Sequence, residues 1–237
     1  MFGFGMTASG IGGARCDCAA GEKNFPAPPG ALRIGCFRPI WVLATHQGPN
    51  LKGVFETNMA QFRAFSGGVQ VNGQTVLSLV KGMGAFAKTG TDILAQHGIK
   101  APEPMGWYPQ QAWLDAFQEI SKSIGSRTLK QIGQSIPNSA KFPPGIDSVE
   151  KALTSIDVAY HMNHRGGEIG RYKFTKTGGT KGVMECHNPY PCDFDCGIIE
   201  AVVRRFMPAG AKPSVVHDAS KPCRAKQGDA CTYSISW

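Results

Sequence analysis

Five of the chain's eight cysteines, Cys186, Cys192, Cys196, Cys223 and Cys231, fall in its C-terminal quarter, together with His217 and Asp218. Thiolate sulfur and imidazole nitrogen are the donors that soft or borderline metal ions select. Cys192 and Cys196 stand four apart at the mouth of a predicted helix, whose N-terminal dipole favours the thiolate a metal requires. Cys223 and Cys231 stand eight apart, at either end of a turn before a strand. A four-coordinate ion such as Zn²⁺ takes three or four ligands from different elements. Two elements each delivering one or two cysteines would supply them, with His217, Asp218 and Cys192 as candidates for the remaining position. The spacing matches no C-x-x-C pair, haem-attachment motif or zinc-finger pattern, so buried inert thiols and disulfides stay open as alternatives.

Aromatic residues form the second constellation. Trp107, Tyr108, Trp113, Phe117, Tyr172 and Phe174, with Tyr233, could line a pocket for an apolar ligand, since such pockets are rich in aromatics and poor in polar groups. The same residues would serve equally as core, and the helical spacing of Trp113 and Phe117 suits that role. His161 and His164 lie three apart near a helix end, where histidines more often cap carbonyls or face solvent than bind metals. The stretches "GGTKG" and "KGMGAFAKTG" carry glycines but follow no strand, as phosphate loops do. There is no G-x-S-x-G, no H-E-x-x-H and no triad, so the motifs do not favour an enzyme.

The elements that would position these residues follow from periodicity. Val76, Leu79, Val80, Met83 and Phe86 keep helical spacing from Gly73, continuing to Leu94 and stopping at Gly98. "KAPEPMGWYP" is expected to be a loop. Pro109 suits the first turn of a helix burying Trp113, Phe117, Ile120 and Ile124. A shorter helix carries Leu129, Ile132 and Ile136 and ends at Pro137. Asp147 and Glu150 form a capping pair for a helix with Val149, Leu153, Ile156 and Tyr160 inward. "EIGRYKFTK" and "TKGVMECH" flank Gly178-Gly179, a hairpin pattern. A helix is expected from Ile198 to Met207, then a short strand in "KPSVVHD" and a final strand alternating Cys231, Tyr233, Ile235 and Trp237 on one face. The predicted class is α+β: N-terminal helices followed by a ββαββ antiparallel unit with a Cys-rich metal site.

Composition bounds the rest. With 237 residues, 42% of them apolar and 18% charged, the chain suits one domain and an extension. We expect an irregular Gly/Pro/Ala-rich extension over residues 1–58, with "IWVLA" as a possible packed strand, and a ligand-binding domain over residues 59–237. Met59 is a candidate alternative start. The net charge of +8 comes from scattered Lys and Arg, not a block, so no nucleic-acid partner is predicted. No apolar run reaches membrane-span length, and the opening residues lack a secretory pattern, which makes a cytoplasmic setting the expectation.

The closing "CRAKQGDACTYSISW" resembles the end of the 4-vinyl reductase (hydrocarbon-binding) domain family, related to the haem nitric-oxide-binding domains. "WYP" at Trp107–Pro109 and the run from "IGRYKF" to "CGIIEAVV" fit the same order, so the resemblance spans about residues 68–237. It implies a small-molecule binding or sensory domain, acting through a protein partner and assembled as a homodimer or in a larger complex. It also implies a structural zinc, held by Cys196, Cys223 and Cys231. The family's acidic ligand falls on Ser220 here, so His217, Asp218 or Cys192 must substitute. Thiolates make a poor Lewis acid of the ion, which favours a structural over a catalytic role. The alternatives are a tetrapyrrole-pathway enzyme or accessory protein, although no hydride or proton donor is recognisable, and a structural subunit of an assembly.

Overall fold

The computed structural model describes residues 60–237. The expected extension over 1–58, its "IWVLA" segment and Met59 lie outside the described residues. Within them the class is α+β, with six α-helices and seven strands in two antiparallel sheets.

The first sheet is small and was not expected. β1 (Gln70–Asn72) lies between β2 (Trp107–Pro109) and β3 (His164–Arg165). "WYP" is therefore a strand and not loop, pairing Asn72 with Trp107 and Val71 with Tyr108. Asn72 also caps α1 (Gly73–Gly82), its Oδ1 accepting from the Thr75 amide at 2.9 Å, as Asn does at helix starts. The long helix expected to run on to Leu94 breaks instead. Gly84 takes φ +53° in a 3-10 turn, and α2 (Ala87–Gln96) starts afresh, because only glycine enters that region without strain.

α3 (Gln110–Ser123) follows Pro109 and buries Trp113, Phe117 and Ile120. α4 (Ser126–Ser139) runs two residues past Pro137, which sits in its last turn. α5 (Val149–Met162) is capped by Ser148, whose hydroxyl accepts from the Lys151 amide. Asp147, the expected cap, pairs with the Lys151 ammonium at 2.9 Å.

The second sheet runs β4–β5–β7–β6, built from β4 (Arg171–Gly178), β5 (Lys181–His187), β6 (Ser214–His217) and β7 (Cys231–Ser236). α6 (Cys192–Phe206) links β5 to β6 and begins at Cys192, six residues before the expected start. On β7 Cys231, Tyr233 and Ile235 are buried while Ser234 faces outward, the period of two that a strand with one covered face demands. α5 and α6 pack against this sheet.

α6 is seated from behind by α4. A Cβ at Gly133 would lie 2.1 Å from the Phe194 carbonyl oxygen, and one at Gly197 2.2 Å from that of Lys130. Backbone meets backbone there, which no larger residue permits. This contact fixes the N-terminal half of α6, the part that serves both candidate sites.

Candidate functional site

Two constellations lie at opposite sides of the first turns of α6. The first is an apolar cavity of about 90 Å³ between α3, α5, α6 and the large sheet, walled by Trp113, Ile156, Tyr160, Tyr172, Tyr190 and Phe194, with His164 at its edge. The side chains are aromatics at edge or tilted angles. Trp113 meets Tyr190 at 5.2 Å and Phe117 at 4.8 Å, and Tyr160 meets Tyr172 at 5.2 Å, separations typical of favourable ring pairs.

The titratable groups around the cavity are hydrogen-bonded within the protein, while Gln110 Oε1 and Trp113 Nε1 are buried without a partner. His164 directs Nδ1 to the Tyr160 carbonyl at 2.8 Å and Nε2 to the Tyr190 hydroxyl at 2.6 Å. The carbonyl can only accept, so Nδ1 carries the proton and Nε2 accepts from Tyr190. Gln110 Nε2 donates to the same hydroxyl at 3.0 Å, and Tyr160 donates to the Ile169 carbonyl. Burial pushes the His164 pKa down to about 4, keeping the ring neutral. Behind Tyr172 lies Asp195, fully buried, accepting from the Tyr172 hydroxyl at 2.5 Å and from Asn188 Nδ2 at 3.2 Å. Desolvation raises its pKa to about 7, although both hydrogen bonds and the Arg224 charge pull the other way. Only Trp113 Nε1, among the cavity's buried donors, lacks a partner.

Of the six aromatics named as ligand-binding, Trp113 and Tyr172 line this cavity. Phe117 backs Trp113. Trp107 lies under the Arg165 guanidinium at 4.2 Å, the Tyr108 hydroxyl accepts from the Glu103 amide at 2.7 Å, and Phe174 neighbours Trp237; these three belong to other surroundings. Sequence reasoning passed over Tyr160 and Tyr190 as wall residues. Tyr160 was visible as an inward helix position, whereas Tyr190 sits in "NPYPC", which has no period to read.

The second constellation gathers Cys192, His217, Cys223 and Cys231, whose ligand atoms all lie within 4.8 Å of one another and could hold a metal ion. The sulfur of Cys192 is 3.4 Å from those of Cys223 and Cys231, which are 3.9 Å apart. Four sulfurs at about 2.3 Å from one ion would stand about 3.8 Å apart, so the spacing suits a shared centre. His217 Nε2 is buried without a hydrogen-bond partner. The elements deliver these residues separately: Cys192 opens α6, His217 closes β6 and Cys231 opens β7. Tyr233 joins them, its hydroxyl donating to the Cys192 carbonyl at 2.7 Å. All five described cysteines are free thiols. The Cys192 pKa is raised, first by its contact with Cys231 and then by burial. Cys196 is not in the group. It lies one turn further along α6, near Lys130 and Glu200. Asp218 is also outside it, holding the turn through the Ser220 amide at 3.0 Å and hydroxyl at 2.6 Å.

No protein-family model matches the sequence, and no curated protein matches it. Solved structures do. An S. oneidensis H-NOX protein in its Fe(II)NO ligation state is 14% identical with a TM-score of 0.54, covering 70% of this chain and 98% of that one. The unliganded Fe(II) H-NOX protein from K. algicida is 13% identical with a TM-score of 0.50 over 70% and 95%. A T. tengcongensis H-NOX point mutant is 15% identical with a TM-score of 0.53 over 70% and 96%.

The chain shares the H-NOX fold. That agrees with the expected relation to haem nitric-oxide-binding domains, while nothing in the comparisons supports the 4-vinyl reductase family itself. The expected structural zinc is corrected. The neighbours are iron proteins, one of them studied through its haem and porphyrin, and here the proposed ligand Cys196 stands away from the other thiols. What this chain has is a Cys/His group that could hold a metal ion.

A haem does not fit the cavity of this chain. Pockets for ligands of drug size run to about 300–1,000 Å³, several times the about 90 Å³ found here. The one histidine on its wall has both ring nitrogens committed. Among the described residues, no helix is long and apolar enough to cross a membrane.

Proposed function

We propose that this domain binds a small, neutral, largely apolar molecule in the aromatic cavity and acts as a sensory or ligand-binding module. The cavity carries the reading: its walls are hydrophobic and its histidine, tyrosines and carboxylate satisfy each other, so a charged guest would find no counter-charge and lose its hydration. The volume, about 90 Å³, favours a small guest. The fold supports the reading, since the H-NOX neighbours include one solved with Fe(II)NO. A guest wedged between α5 and α6 would change how those helices lie on the sheet, and that change would pass to a protein partner, as homodimer or larger assembly, in a cytoplasmic setting. The small cavity speaks against the tetrapyrrole alternative.

As part of the same reading, Cys192, His217, Cys223 and Cys231, whose ligand atoms lie within 4.8 Å of one another, form a site that can take a metal ion. Elemental analysis of the purified full chain checks this, with one ion per chain expected and loss of the ion on replacing Cys231.

The ligand reading is tested by thermal denaturation with toluene, 2-butanone and hemin in turn. A guest that binds only the native state stabilises it by mass action, about 2.7 kcal/mol at a hundred times its Kd. A rise in Tm with an apolar probe and an unchanged hemin spectrum are expected. Stoichiometric hemin binding, with no response to any small probe, would overturn the proposal.

A further inference from the structure

The segment before β1 crosses the Cys/His group, and its bonds go to the two stretches that carry the group's cysteines. Gln61 is buried, 7% exposed, and its Nε2 donates to Cys192 Sγ at 2.8 Å. The Phe62 amide donates to the Pro189 carbonyl at 2.8 Å, three residues before Cys192. On the other side, the guanidinium of Arg224, next to Cys223 and 2% exposed, donates to the Ala60 carbonyl and lies 4.7 Å over the Phe65 ring. Gln111 closes the segment from α3, giving Nε2 to the Phe62 carbonyl at 2.9 Å and taking the Ala64 amide at 3.0 Å. Between these bonds Phe62 holds φ at +63°. A bulky residue keeps that left-handed conformation only where its surroundings impose it. The segment is thus clamped in a single path over the sulfur of Cys192.

We propose that Gln61 is a positioning residue for the metal centre, and that metal uptake tightens the 60–65 strap. This rests on the metal-centre reading above. A neutral thiol is a weak acceptor. When a metal–sulfur bond forms, the thiol proton leaves to water and the sulfur retains negative charge. The Gln61 N–H then points at an anion, and a hydrogen bond to an ionised acceptor is about twice as strong as a neutral one. By linkage the effect is reciprocal: whatever the loaded sulfur does for the strap, the strap does for metal affinity. Groups that orient metal ligands without touching the ion commonly change affinity by about 10–100-fold.

The test uses the full chain with Co²⁺ alone, titrated through its thiolate charge-transfer absorption, together with hydrogen exchange of the Phe62 and Ala64 amides. Gln61→Leu keeps most of the side-chain volume and removes the donor. It is expected to raise the Co²⁺ Kd by about tenfold, and the two amides of the native chain are expected to exchange more slowly once Co²⁺ is bound. Unchanged affinity in Q61L, or equal exchange with and without Co²⁺, overturns the proposal while leaving the metal centre standing. A native chain that takes up no Co²⁺ removes the metal-centre reading and this proposal together. The exchange measurement needs no variant, so it decides the matter even if Q61L folds poorly.

Discussion

The cavity and the Cys/His group share α6 as a wall but solve opposite electrostatic problems. Around the cavity the titratable side chains have partners within the protein: His164 with Tyr160 and Tyr190, and Asp195 with Tyr172 and Asn188. At the Cys/His group three thiols and an imidazole face one another, and His217 Nε2 has no partner at all. The first arrangement repels a charge and accepts shape. The second gathers soft donors that could hold a metal ion. The proposed neutral guest on one side of α6 and the proposed cation on the other rest on that contrast.

Removing Trp113 attacks the cavity side most heavily. Trp113→Ala empties a fully buried ring and is expected to cost about 3–5 kcal/mol, measured by denaturant unfolding with and without Co²⁺. An equal loss in both conditions keeps the two regions independent. A loss that depends on metal would join them.

Protonation offers a finer cut. Asp195 has a folded pKa of about 7, above its ordinary 3.8, so the folded state holds more protons and its contribution to stability falls as pH rises from about 4 to 7. His164 has a folded pKa of about 4, below its ordinary 6.5, so the unfolded state holds more protons and stability rises over nearly the same window. Each slope is at most about 1.4 kcal/mol per pH unit, and they oppose. Native stability should therefore vary little between pH 4 and 6.5. Asp195→Asn should leave stability rising with pH, and His164→Gln should leave it falling. Parallel profiles in all three proteins would refute the hydrogen-bonded network.

The smallest effect is expected at the Cys/His group without metal. Cys231→Ala should cost about 1 kcal/mol in chelator, an ordinary value for a buried substitution, while abolishing any rise in Tm that Co²⁺ produces in the native chain. A large loss in chelator would make Cys231 a packing residue first and a ligand second.

The two regions also differ in how far the sequence reveals them. Helical period exposed Trp113, Phe117 and Tyr160 as inward positions, and alternation exposed Cys231, Tyr233 and Ile235, because burying one face imposes those periods. The cavity's far wall was hidden. Tyr190 sits between two prolines in an aperiodic link, and only the Gly133–Gly197 contact, which draws α4 against α6, brings Phe194 and Tyr190 to Trp113. Among the residues of the Cys/His group, His217, Cys223 and Cys231 could be named as candidate ligands from residue type. The choice between Cys192 and Cys196 could not, since both lie on the first turns of α6 and the helix's starting residue decides which faces β7. The family resemblance set Cys196 beside the terminal pair and left Cys192 as a candidate for the fourth position. The β1–β2–β3 sheet escaped because strands of two or three residues are too short to show a period.

The claim that the cavity takes a small neutral guest is tested most directly by a crystal structure of the full chain under xenon pressure, since xenon enters dry apolar cavities without needing a hydrogen bond. Xenon density enclosed by Trp113, Tyr160, Tyr172 and Phe194, with His164 still bonded to Tyr190, is the predicted result. A cavity holding ordered water and no xenon would contradict it.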